Sequence, residues 1–135
     1  MNYSIINSDR RKVQLLAEVT FTARFAVSSS VDPAYSLTRW IAVQLVEQGL
    51  ICSEIIDLEY AFTFRCEIAK QSFFLIVGYV GDNEREWLIL IDGDRNWRRQ
   101  LKKFDVINYQ VLIDSIAIIL STQPNIQNIY WNAHP

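Results

Sequence analysis

From Val13 to Phe25 the odd positions are Val13, Leu15, Ala17, Val19, Phe21, Ala23 and Phe25, while Gln14, Glu18, Thr20, Thr22 and Arg24 lie between them. A period of two over this length predicts a half-buried β-strand. The same alternation returns at Phe62, Phe64, Cys66 and Ile68, with Thr63, Arg65 and Glu67 on the other side. It then breaks down. Within "SFFLIVGYVGDNEREWLILID", Phe73 to Val80 and Trp87 to Ile91 are almost wholly apolar, so the strands they predict have two faces to cover. The polar run "GDNERE" is expected as the loop between them, and Asp92-Gly93-Asp94 as a turn out of the sheet.

Two segments carry helical spacing instead. Asp32 is placed to cap a helix that opens with Pro33, where a missing N–H costs nothing. Leu37, Ile41 and Leu45 follow at four-residue spacing with Ala34 and Trp40 alongside, and Gly49 stops the run. A second helix is expected over Val106 to Leu120, because Tyr109, Leu112, Ile113, Ile116, Ile119 and Leu120 form one stripe, with Pro124 beyond its end. "NIQNIYWN" reads as a short closing strand.

The order strand, helix, three strands, helix, strand predicts an α+β two-layer sandwich: a mostly antiparallel sheet of about five strands, β-α-β-β-β-α-β, with two helices. The two-sided apolar strands then pose a question. Either a helix sits on each face, or the second face meets another protein, or loops and the N-terminal segment absorb it. Val111 and Ile118, away from the main stripe of the second helix, add to the apolar surplus.

Composition narrows the class. With 135 residues, 50% hydrophobic and 21% charged, the chain is expected to form one domain spanning residues 1–135 around a substantial core. A net charge of -2 argues against a nucleic-acid binder, which needs a basic excess to neutralise phosphate. "MNYSIINSDRRKVQLL" has polar residues where a secretory signal needs an apolar run, and no segment reaches the roughly 18 apolar residues of a membrane span, so a cytoplasmic protein is expected. In such a compartment Cys52 and Cys66 read as two buried thiols, a disulfide between them being the alternative.

The series "DPAYSLTRWIAVQLVEQGL", acidic "SEIIDLEY", a strand pair ending "FFLIVGYVGD", then "EREWLILID", a final helix and "NIYW" resembles, in layout over roughly residues 13 to 132, small bacterial immunity proteins of polymorphic-toxin and contact-dependent growth inhibition systems. The resemblance implies a cytoplasmic, non-catalytic protein that binds a cognate toxin domain, frequently a nuclease, and blocks its active site. It transfers no individual functional residue.

The chemistry-bearing residues point the same way. His134, the only histidine, is expected in a frayed C-terminus, where it makes a poor general base or ligand. A cysteine nucleophile lacks a positioned histidine, and Cys52 and Cys66 lack the companions of a metal cluster. Gly78 and Gly81 in "VGYVGD" read as strand-end glycines rather than a phosphate loop, since no helix follows them. No enzyme, metal or cofactor is expected.

The carboxylates are more informative. Glu54, Asp57 and Glu59 precede the Phe62 strand, Asp82, Glu84 and Glu86 precede Trp87, and Asp92 and Asp94 follow it. If these loops converge, they form an acidic rim around Tyr60, Tyr79 and Trp87, suited to a basic protein partner through steering at a distance and aromatic anchors at contact. Solvated loops are the plain alternative. Arg95, Arg98, Arg99, Lys102 and Lys103 around Trp97, with Arg10, Arg11 and Lys12, offer a basic counterpart, read as a solvated helix face or a site for an anionic protein rather than for nucleic acid. An immunity protein therefore leads. A secretion-chaperone-like or other homodimeric scaffold is the second reading, and an enzyme of unrecognised type a minor third.

Overall fold

A computed structural model describes residues 15–23, 32–80, 83–94 and 103–134, with side chains described for all of these except 83–85, 94, 103–104 and 134. The elements are β1 (Leu16–Ala23), α1 (Pro33–Glu47), β2 (Ile51–Cys52), β3 (Ile56–Asp57), β4 (Phe62–Ile68), β5 (Gln71–Val80), β6 (Asn83–Asp94), α2 (Lys103–Ser121) and β7 (Ile126–His134). They form an antiparallel sheet of seven strands in the order β2-β4-β5-β6-β1-β7, with β3 also pairing β4.

The α+β class and the two helices match the pattern read from the sequence, but the strand count does not. The two additional strands, β2 and β3, are two residues each, too short to display an alternation. Both lie on the same edge of β4, separated by Ser53 to Ile55. Ser53 replaces part of the ladder there: its N–H donates to the Arg65 carbonyl, while the Arg65 N–H donates to its Oγ, both at 2.8 Å.

Part of the "GDNERE" run, expected as a loop, is strand. Asn83 to Glu86 belong to β6, and the register shifts between Tyr79↔Trp87 and Val80↔Asn83, so the polar residues occupy a bulged hairpin end instead of a free loop. Asp92-Gly93-Asp94 is strand, not turn. Gly93 pairs with Phe73 and donates its N–H to the Leu15 carbonyl at 2.8 Å, so the chain continues along β1 where the sequence promised an exit. His134 likewise lies within a paired strand, opposite Leu16, because the β1 ladder holds β7 to that point. The outer parts of the first predicted strand, Gly81, and the basic residues at 10–12, 95, 98–99 and 102 with Trp97 lie outside the described residues.

Local signals account for α1. Asp32 caps it through its carboxylate, which accepts from the Ala34 N–H at 2.9 Å, and Gly49 ends it at φ +93°. Leu37, Ile41 and Leu45 from α1 and Tyr109, Leu112, Ile116 and Leu120 from α2 share one buried cluster with Val19, Phe64, Phe73, Leu75, Val77, Trp87, Ile89 and Ile91. Tyr109 stacks on Phe73 with ring centroids 6.5 Å apart and donates its hydroxyl to the Leu16 carbonyl at 2.6 Å.

Both helices therefore cover the same face of the sheet. The second face carries Phe74, which is 39% exposed, and half-buried Ile76, Leu88 and Leu90, set in rows with Arg65, Thr63, Glu18 and Thr20. Neither described helix sits on that face.

Candidate functional site

The strand directions bring the start of β4, the end of β5, the start of β6 and the end of β1 to one end of the sheet. The β3–β4 turn is closed by the Leu58 N–H donating to the Ala61 carbonyl at 2.8 Å. Glu59 adopts a left-handed φ of 74°, and its N–H donates to the Asp57 carboxylate at 2.7 Å, a side-chain turn that offsets part of the backbone strain. This geometry presents Tyr60 outward, 76% exposed. The turn rests on β5 at Gly78, where a Cβ would stand 3.2 Å from the Ala61 Cβ and 3.5 Å from the Tyr60 carbonyl. Gly78 is thus a site of close backbone approach, which explains a glycine near the end of β5.

Tyr79 faces Trp87 directly across β5 and β6, with ring centroids 4.5 Å apart and a 38° tilt. Trp87 is only 1% exposed and donates its indole N–H to the Ala23 carbonyl at 3.3 Å. It belongs to the core and serves as the platform under half-buried Tyr79, not as a surface contact. Glu86 is exposed and opposite Thr22, on the second face of the sheet.

Asp57, Glu59, Tyr60, Tyr79, Glu86 and Trp87 therefore share one end of the molecule. The backbone of Glu84 belongs to the same hairpin; its side chain, and Asp82 altogether, lie outside the described set. Asp92 and Asp94 do not join them, because they pair with Phe74 and Ser72 at the opposite end. Glu54 is exposed between β2 and β3, on the sheet edge. Among the described residues, no three His, Cys, Asp or Glu side chains gather to hold a metal ion, and no described helix is long and apolar enough to cross a membrane.

A second feature escaped the sequence pattern. An open groove of about 570 Å³ runs between α1 and the β2–β3 edge, lined among others by Tyr35, Arg39, Val43, Val46, Cys52 and Ile55. Tyr35 packs edge-on against Phe62 at 5.5 Å, which joins the groove to the acidic end. Its signal was present in the sequence as a second stripe on α1, Tyr35, Ala42 and Val46, at helical spacing but interrupted by Arg39. Across β4, on the other face, a hollow of about 390 Å³ is lined by Ser53, Ile56, Thr63, Arg65 and Phe74.

Compared with protein-family models and with curated proteins, the sequence finds no match among either.

Proposed function

We propose that this is a non-catalytic binding protein whose acidic end covers a basic partner, and that the partner is a cognate bacterial toxin domain, the role implied by the layout resemblance to immunity proteins. The observation that supports it is the packing of the β3–β4 turn on Gly78 of β5, which puts Asp57, Glu59 and exposed Tyr60 at the same end of the sheet as half-buried Tyr79 on one face and Glu86 on the other. A nuclease holds the phosphate backbone of its substrate through cationic side chains, so an acidic surface with an aromatic anchor is complementary to that binding surface. Asp82 and Glu84 belong to the same stretch of sequence, with Arg85 between Glu84 and Glu86.

The test is co-expression with the toxin domain encoded beside its gene, together with stopped-flow binding. Wild type should restore growth. Asp57→Asn, which keeps the oxygen that accepts from the Glu59 N–H, combined with Glu59→Ser and Glu86→Ser should slow association about tenfold at low salt and flatten its salt dependence, while the fold stays intact. Association as fast as wild type would remove this end from the interface, and failure of any neighbouring toxin to bind would remove the immunity reading.

One observation favours the second reading, a homodimeric scaffold of the secretion-chaperone type. Ile107, Val111 and Ile118 are exposed along one line of α2, as a self-complementary helix pair requires. Sedimentation equilibrium distinguishes it: Val111→Glu should abolish a dimer of that kind and leave a toxin-binding monomer unaffected.

A further inference from the structure

Cys52 and Cys66, separate in the sequence, are direct partners across β2 and β4. The neighbouring pair, Ser53 and Arg65, is joined by the 2.8 Å bond from the Ser53 N–H to the Arg65 carbonyl. Antiparallel pairs alternate, so the cysteines occupy a non-hydrogen-bonded position, where Cα atoms stand about 4.5 Å apart and side chains are closest. That separation lies at the short end of the range a disulfide spans, roughly 4.4 to 6.8 Å. Both thiols are free, and the Cys66 thiol hydrogen-bonds to the Cys52 sulfur.

Their surroundings differ. Cys66 is fully enclosed by the core, whereas Cys52 is half-buried and lines the groove against α1. The hydrogen bond donated by Cys66 holds the Cys52 thiol below its ordinary range, against the opposing effect of burial. Cys66 is pushed up, first by that same bond and then by desolvation. The half-buried sulfur on the groove therefore has its pKa drawn down, and the enclosed sulfur directly across the strand pair has its pKa pushed up, an arrangement of attacking and resolving thiols.

We propose that Cys52 and Cys66 are a redox-active pair that closes reversibly to a disulfide by exchange with a low-molecular-weight disulfide entering along the groove between α1 and β2. The Cys52 thiolate attacks one sulfur of RS–SR, forming a Cys52–SR mixed disulfide and releasing RS⁻. Cys66 gives its proton to a thiolate, and its sulfur attacks that of Cys52, breaking the mixed disulfide and releasing the second RS⁻, which is protonated by water. Two protein thiols are oxidised to one disulfide and RS–SR is reduced to two RSH. The bond fixes β2, held by only two paired residues, to β4, and so fixes one wall of the groove. This proposal is independent of the partner reading above.

The experiment is exposure of the folded wild-type protein to oxidised glutathione, followed by intact-mass measurement and peptide mapping. The expected product has lost two hydrogens, carries a Cys52–Cys66 link, contains no glutathione and returns to the dithiol with dithiothreitol. Cys66→Ala should accumulate one glutathione on Cys52, because the resolving sulfur is gone. Wild type that keeps both thiols, ends with glutathione on Cys52 and no internal link, or cross-links between chains would overturn the proposal without recourse to any variant.

Discussion

Tyr60 and Trp87 are both aromatic residues of the acidic end, yet truncating them removes different things. Tyr60 is largely in solvent, so Tyr60→Ala deletes contact area available to a partner and should change folding stability by less than about 0.5 kcal/mol. Trp87 fills the core beneath Tyr79 and satisfies the Ala23 carbonyl, so Trp87→Ala should cost about 3–5 kcal/mol in urea denaturation through the cavity it leaves. Equal costs for the two would contradict the burial difference. The distinction matters for any binding assay, since a loss caused by Trp87→Ala reports unfolding as readily as a lost contact, whereas Tyr60→Ala reports the surface alone. The sequence places the two residues in one site but not at two depths. An aromatic in a two-sided apolar strand gives no sign of which face it takes until the register Tyr79↔Trp87 and Phe21↔Trp87 is known.

Elements with strong local punctuation were legible. Asp32-Pro33 and Gly49 mark both ends of α1, and the six-residue stripe marks α2, whose members are all buried. The two-residue strands, the bulged start of β6 and the Asp92-Gly93-Asp94 extension were not, because each is held by cross-strand pairing and not by its own residue pattern. The meeting of Cys52 with Cys66 belongs to the same class. A polar link between elements was equally hidden: Asn108 of α2 donates its amide to the Gln71 Oε1 of β5 at 2.9 Å, both residues buried, and the Gln71 Nε2 has no hydrogen-bond partner among the described residues. A buried amide left unpaired costs about 1–3 kcal/mol, so Asn108→Ala should destabilise by that amount, since it strands the remaining half of Gln71. Gln71→Leu with Asn108→Leu should recover most of the loss. A double-mutant cycle by urea denaturation measures the coupling, and strictly additive effects would mean that the pair is not a unit.

At the scale of the whole molecule, the sheet is loaded unequally. Phe73, Leu75 and Val77 of β5 point into the helices and are fully buried, while Phe74 and Ile76 face the other way, among Arg65, Thr63 and Leu90. Alanine substitution along β5 should therefore alternate in cost. Phe73→Ala and Leu75→Ala should lose about 2–5 kcal/mol each, combining transfer and cavity terms. Phe74→Ala and Ile76→Ala should lose roughly 1 kcal/mol, because only part of each side chain leaves water on folding. Urea denaturation of the series at two protein concentrations checks this and also addresses the two-sided apolar strands. A period of two that is independent of concentration means the second face stays open for a partner. Uniformly high costs at both concentrations mean the remaining chain covers it as tightly as the helices cover the first. High costs at Phe74 and Ile76 that appear only at the higher concentration mean a second copy covers it, since stability gained by association follows mass action.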